Sequence, residues 1–285
     1  MKPSPFTYHA PERLDEVTAL FAEHGDAIKP LAGGQSLVPL LSLRLAAFEH
    51  LVDLNGVEGL DRIERIGSSL RIGAIVRQAA AEHDAQVAAT VPLLTAALPH
   101  IGHFQIRNRG TVGGSIAHAD PASELPAVAL ALDATIQAAG QHGTRTIAAA
   151  DFFQSTWQSS LADDEILTAV DFPIWTGHCG FAVEEVARRH GDFALVGTAV
   201  GVQTDEDGKV TKASIALFGV GSTAVRSADA EAALLAGASA EEAGRIAAEG
   251  ISPTSDIHAS GAYRKQVAAV VIRRALTTAL AKAGK

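Results

Sequence analysis

Two short segments constrain this chain more than any others: Ala32-Gly33-Gly34-Gln35-Ser36-Leu37 and Thr111-Val112-Gly113-Gly114-Ser115-Ile116. Each places Gly-Gly after a small or apolar residue and before a polar one, then returns to an apolar residue. A Gly-Gly step can take positive φ and lets the backbone approach a ligand with no Cβ between them. Successive N–H groups in such a turn can converge on an anion, and the Gln or Ser that follows adds a side-chain hydrogen bond. One pair alone would read as a turn. Two matched pairs predict the halves of a cradle around a diphosphate, and hence a nucleotide cofactor.

The rest of the chain limits which nucleotide protein this can be. Its 285 residues suit two domains, and 47% hydrophobic with 19% charged residues is a globular composition with a sizeable core. A net charge of −9 argues against nucleic acid as a partner, because phosphate neutralisation needs clustered Lys and Arg. No apolar run reaches the roughly 18 residues of a membrane span. The start Met1-Lys2-Pro3-Ser4-Pro5-Phe6 lacks the apolar region of a secretory signal, so a cytoplasmic location is expected. The one cysteine, Cys179, permits no internal disulfide. It also cannot hold a [2Fe–2S] cluster, which takes about four thiolates, and is expected to be a structural thiol.

Periodicity supplies the elements around the glycines. Leu14, Val17, Leu20 and Phe21 predict a helix over 12–25, closed by Gly25. A short strand over 28–32 then runs into the first glycine segment. Residues 38–45 read as a half-buried helix or turn, 50–54 and 70–75 as strands, and 77–85 and 90–99 as helices. Asp120 as N-cap and Pro121 at the first position predict a helix over 121–132. Strands follow over 135–138, 145–147 and 166–172, and Pro173 with Gly177 and Gly180 marks a domain boundary near 174–179. Beyond it, 194–202 and 210–220 are apolar strands joined through Asp207-Gly208, a hairpin signal. Helices are expected over 227–248 and 261–283.

Gly219-Val220-Gly221-Ser222-Thr223-Ala224 matches the form of a dinucleotide-binding fingerprint. That fingerprint opens a parallel βαβ unit. Here the preceding strand belongs to a hairpin and is antiparallel, so the segment reads as a strand end turning into a helix. The stretch 104–126 differs in kind. Arg107, Asn108, Arg109, Thr111, Ser115, His118, Asp120, Ser123 and Glu124 crowd around the second glycine pair. Ion pairing and capping account for these residues singly but not for their density. His118 has no His, Cys or paired carboxylate at ligand spacing, so contact with a cofactor or cap is expected rather than a metal role. No nucleophilic triad is legible.

Residues 32–40 and 106–115 together resemble the FAD-binding medium subunit of molybdenum hydroxylases, and most nearly the aerobic carbon monoxide dehydrogenase type. Glu185-Val186-Ala187-Arg188-Arg189-His190-Gly191-Asp192-Phe193-Ala194, Ser255-Asp256-Ile257-His258 and Tyr263-Arg264 extend the resemblance over nearly the whole chain. It implies an α+β protein. Residues 1–176 would form an FAD-binding domain of the p-cresol methylhydroxylase (PCMH) type, with subdomains of about 1–55 and 56–176. Residues 177–285 would form a C-terminal domain with a small antiparallel sheet and helices.

The resemblance also implies a site. Ala32, Gly33, Gly34, Gln35, Ser36 and Leu37, with Thr111, Gly113, Gly114 and Ser115, would hold the FAD pyrophosphate. Asp120 and Glu124 would lie toward the ribose and adenine, Leu161, Asp192 and Phe193 toward the isoalloxazine ring, and His118 is counted among the cofactor-binding residues. Many relatives carry a lysine where this chain has Glu184-Glu185, and some a tyrosine where it has Phe193. The implied enzyme is an oxidoreductase complex in which this chain has no general acid or base of its own. A large subunit with a molybdenum–pterin cofactor oxidises the substrate, and a small subunit with two [2Fe–2S] clusters relays electrons. FAD on this chain then passes them to an external acceptor, in a dimer of heterotrimers. A stand-alone FAD-dependent oxidase or dehydrogenase, and a nucleotide-binding protein without turnover, remain open from the residues alone.

Overall fold

The computed structural model describes residues 2–284. The chain begins with β1 (Thr7–His9), α1 (Leu14–His24), β2 (Ile28–Leu31), α2 (Leu37–Ser42) and β3 (His50–Asp53). The three strands form a parallel sheet in the order β1-β3-β2. Helix α1 follows from its sequence. The Glu16 carboxylate accepts from the Arg13 amide at 3.2 Å, Val17 and Phe21 face inward, and Gly25 at φ 55° ends it. Those two side chains join Ile28, Val52 and Leu54 in one apolar cluster under the sheet.

The middle of the chain contains β4 (Ile63–Ile66), β5 (Ser69–Gly73) and the short helices α3 (Gln78–His83), α4 (Ala85–Thr90) and α5 (Pro92–Ala97). It continues through α6 (Phe104–Arg107), α7 (Val112–His118), α8 (Glu124–Ala131), β6 (Thr135–Gly140) and β7 (Gly143–Ala148). Then come α9 (Ala149–Phe152), the small ribbon β8 (Phe153–Ser155) and β9 (Gln158–Ser159), and β10 (Ile166–Pro173). Strands β4-β5-β10-β6-β7, in that spatial order, make an antiparallel sheet.

The last part holds β11 (His178–Val186), β12 (Val196–Thr204), β13 (Val210–Phe218), β14 (Val225–Arg226), α10 (Ala228–Leu235), α11 (Ala240–Glu249) and α12 (Gly261–Ala283). Its sheet is antiparallel in sequential order. Both faces of that sheet are covered, which explains why its strands read as continuous apolar runs. Val200, Ile215 and Leu217 face α12 through Val271, Ile272 and Leu276. Ala199, Ala216 and Phe218 alternate to the other side and join the central core with Leu70, Ile136 and Phe172. Helix α8, with all eight residues buried, packs on β12 and β13. The Ser214 hydroxyl donates to the Ala131 carbonyl at 2.5 Å, and the Gly219 amide donates to Pro121 at 2.8 Å.

Several expectations need correction. The helix expected over 227–248 is two helices, because Gly237 at φ 96° breaks it and the Ser239 hydroxyl caps α11 by accepting from Glu242 N at 3.2 Å. Helix α8 begins at Glu124 rather than Pro121, with Ser123 at its N-cap. Strands β1, β4, β8, β9, β11 and β14 and helices α4, α6 and α9 are not among the expected elements. The second glycine segment is not a loop: Val112 to His118 is helical, and Thr111 caps it. The fingerprint-like segment at Gly219 does follow an antiparallel strand, as its hairpin context required.

Candidate functional site

Strand β2 delivers the chain to the first glycine pair, and the geometry there is open. Gly34 takes φ 73°, a conformation that side chains with a Cβ avoid. Among the described residues, the amides of Gly33, Gly34, Gln35 and Ser36 donate to no protein acceptor. Gln35 folds its amide nitrogen back onto the Gly33 carbonyl at 3.4 Å. A run of free N–H groups in a turn is an anion-binding arrangement. Gly33 is fixed from behind, since a Cβ there would stand 2.3 Å from the Arg109 carbonyl oxygen.

The loop is held from below by residues that the sequence did not single out. Asn55 donates to the Ala32 carbonyl at 3.0 Å, and Arg77 donates to Asn55 Oδ1 at 2.6 Å and to the Arg109 carbonyl. Burial, and then the neighbouring Arg109 guanidinium, push Arg77 below the usual arginine range. Two guanidiniums thus share one seam, with Asp53 as the carboxylate that offsets them. That favours an anionic guest.

The second glycine pair is closed. Val112 N donates to Val76 O at 2.9 Å, Gly113 N to Ala74 O at 3.1 Å, and Ser115 N to Thr111 O at 3.1 Å. Gly114 N is taken by the Thr111 hydroxyl at 3.0 Å. The glycines here serve close packing. A Cβ on Gly113 would lie 2.5 Å from Ala74 Cα, and one on Gly114 would lie 2.6 Å from Thr111 Oγ1 and 3.4 Å from Ala32 Cβ. The two segments therefore meet, through Gly33 against Arg109 and Gly110 and through Gly114 against Ala32. Thr111 is buried, and Ser115 is half-buried with its hydroxyl bonded to no protein group among the described residues.

Past α7 the chain turns through Ala119 at φ 52°. The His118 ring stacks on Trp157, with centroids 6.1 Å apart and planes 14° from parallel. Burial holds His118 below an ordinary histidine, and Lys29 acts in the same direction against Asp120. Asp120 does not cap α8. Its carboxylate accepts from Ala122 N and from Trp157 Nε1, both at 2.9 Å. Trp157 is 61% exposed, so its ring, stacked on His118 and bonded to Asp120, presents an aromatic face to solvent. No sequence spacing announced Trp157, whose partners lie far back in the chain.

Glu124, at the first turn of α8, is buried, and burial lifts its carboxyl to about 8. His100 and Glu185 act on it electrostatically. Those two approach at 3.4 Å, and the contact raises His100 above its ordinary range. The second oxygen of Glu185 is buried without a partner among the described residues. Leu161 packs at the rim of the central core. Asp192 pairs with Arg188 at 3.6 Å and Arg189 at 4.0 Å, and Phe193 beside it is 61% exposed. No hydrogen bond or ring contact ties Leu161, Asp192 or Phe193 to the glycine segments. Cys179 donates weakly to Thr176 O at 3.3 Å, and burial pushes its thiol up, as suits a structural residue.

Comparison with known proteins places this geometry. Residues 4–175 match the family described as FAD binding domain in molybdopterin dehydrogenase, and residues 181–279 match CO dehydrogenase flavoprotein C-terminal domain. The chain is 40% identical to 6-hydroxypseudooxynicotine dehydrogenase complex subunit alpha of Paenarthrobacter nicotinovorans, over 99% of this chain and 97% of that one. It is 36% identical to the carbon monoxide dehydrogenase medium chain of Hydrogenophaga pseudoflava, over 99% of both. A solved carbon monoxide dehydrogenase from Hydrogenophaga pseudoflava, lacking the Mo-pyranopterin moiety of its molybdenum cofactor, contains a chain that superposes with a TM-score of 0.95 at 38% identity, covering 99% of each. Among the described residues, no helix is long and apolar enough to cross a membrane.

Proposed function

The chain belongs to the family of FAD-binding domains of molybdopterin dehydrogenases, joined to a CO dehydrogenase flavoprotein C-terminal domain, and from that membership we propose that it is the FAD-carrying electron-transfer subunit of a molybdenum hydroxylase complex. It takes electrons from [2Fe–2S] clusters on a partner subunit and delivers them to an external acceptor. FAD, when bound, supplies the redox chemistry, and the protein supplies binding, orientation and electrostatics.

The observation that carries this reading is the run of free amides from Gly33 to Ser36 beside Arg77 and Arg109. These groups hold the diphosphate, with Leu37 starting the helix behind them. The Ser115 hydroxyl adds a donor from the opposite side. Trp157 with His118 offers a flat surface for an aromatic part of the cofactor. Glu124, protonated at neutral pH, puts no negative charge beside it. Leu161, Asp192 and Phe193 would approach the isoalloxazine ring, with the exposed Phe193 excluding water from one side.

The single cysteine supports placing the clusters on another chain. The substrate is read elsewhere too: relatives named for a nicotine-derived compound and for carbon monoxide are nearly equally similar to this chain. We further propose two units, 1–176 (itself divided near 55) and 177–285, within a dimer of heterotrimers located in the cytoplasm. Purification of the tagged chain from its native host tests the assignment. Visible flavin absorbance with co-purifying molybdenum and iron–sulfur subunits is expected. A flavin-free chain, or a flavoprotein that turns over substrate alone, would contradict it.

A further inference from the structure

Three histidines meet on one side of the first sheet, and the flavin site proposed above does not use them. Helix α1 presents Val17 and Phe21 to the sheet, and His24 falls one turn further along the same face. On β3, His50 shares a face with the buried Val52, two residues on. Strand β1 is parallel to β3 and places His9 against Val52. The sheet and the helix thus put three imidazoles where their pattern otherwise places apolar side chains. All three are half-buried.

We propose that His9, His24 and His50 form a binding site for one divalent transition-metal ion of the zinc class. Their ligand nitrogens all lie within 4.8 Å of one another, and His9 Nε2 is 3.0 Å from His50 Nδ1. Neighbouring nitrogens on tetrahedral zinc stand about 3.4 Å apart, given Zn–N bonds of about 2.0–2.1 Å. The His9–His50 pair is therefore already near ligating separation. His24 stacks on His50 with centroids 3.7 Å apart and planes 12° from parallel, so it must turn its ring to aim a lone pair at the same point.

Imidazole is a preferred ligand of zinc, copper and nickel, and it ligates in the neutral form. Among the described residues, the carboxylate that approaches the cluster is Glu23, 3.9 Å from His24 Nε2. It stands as a counter-charge, and among the described residues no carboxylate within hydrogen-bond distance competes for the rings. Three protein ligands leave a fourth position open. The ion would clamp β1, the end of α1 and β3, three separate segments, onto one point.

The test uses the full-length, flavin-loaded chain after dialysis against chelator. Zinc titrated calorimetrically should bind as one saturable equivalent and raise the melting temperature. His24→Gln and His50→Gln should each lose that equivalent while keeping wild-type flavin content and circular dichroism. Absence of saturable binding, or an equivalent that survives in both variants, would overturn the site. Zinc-edge X-ray absorption on the wild type needs no variant. A shell with three imidazole nitrogens at about 2.0–2.1 Å is expected, and a shell with fewer than three would refute it.

Discussion

Among the described residues, the amides from Gly33 through Ser36 have no protein acceptor, whereas at Gly113-Gly114 every amide from Val112 to Ser115 is taken by Val76, Ala74 or Thr111. The sequences of the two segments are nearly interchangeable. Their surroundings are not. The first ends strand β2 and is half-buried, and Gly34 takes a left-handed conformation there. The second begins a helix laid directly across the backbone of Ala74. The same dipeptide thus leaves its amides free in one place and sits in chain-to-chain contact in the other. On the function proposed above, the first segment would receive the cofactor and the second would hold the first in place.

Substitutions can break or sharpen this contrast. The largest effect is expected at Gly113→Val, whose side chain would run into Ala74 backbone and Leu167. Overpacking of that kind costs about 3 kcal/mol, so the flavin-free chain should melt much lower, as differential scanning calorimetry would record. A wild-type melting temperature would show that α7 can shift freely.

Glu124→Gln comes next, and it carries a sign. Burial raises the folded carboxyl to about 8 from an ordinary 4.5. The folded state therefore keeps a proton that the unfolded chain has released, and stability falls as pH rises from about 4.5 to about 8. The neutral amide should remove that slope and stabilise the protein at pH 7 by up to about 3 kcal/mol. Urea unfolding at pH 5 and pH 8 measures it, and an unchanged slope would place the titration elsewhere.

Gly34→Ala should act on the ligand instead. Holding alanine at positive φ costs about 1–2 kcal/mol, met here by movable side chains, Val38 and Leu31, rather than backbone. The fold should persist while FAD affinity drops by about tenfold or more, the equivalent of losing roughly 1.4 kcal/mol. Fluorescence titration of the stripped chain with FAD would show it. The smallest effect belongs to Thr111→Val. It removes the cap on Gly114 and should cost about 1 kcal/mol of stability, with FAD affinity nearly unchanged. A large affinity loss would mean that the Thr111 hydroxyl serves the cofactor as well as the helix.

Much of this was legible in the residues, for local reasons. Helix α1 has its apolar stripe and its terminal glycine within one window. The β12–β13 hairpin has its Asp-Gly turn, and the antiparallel context that disqualified Gly219 follows from it. The break between α10 and α11 was also present, in Gly237 and in Ser239 three residues before Glu242, but the helical composition around it masked the signal. Helix α7 was not legible, because Gly-Gly weakens a helix by local propensity and only Ala74 and Val76, distant in sequence, stabilise it there. Asp120 looked like a cap because Trp157, its actual partner, enters from another part of the chain. The buttress of Asn55 and Arg77 behind the first loop is likewise a tertiary arrangement with no local pattern.

Amide hydrogen exchange tests the contrast most directly, with the flavin-free and FAD-loaded chains followed by residue-resolved mass spectrometry. Free amides exchange quickly until a ligand occupies them, and bonded ones are protected from the start. The account predicts fast exchange at Gly33 to Ser36 that slows sharply on adding FAD, beside slow exchange at Val112 to Ser115 in both states. Equal gains of protection in the two segments, or no gain at Gly33 to Ser36, would contradict it.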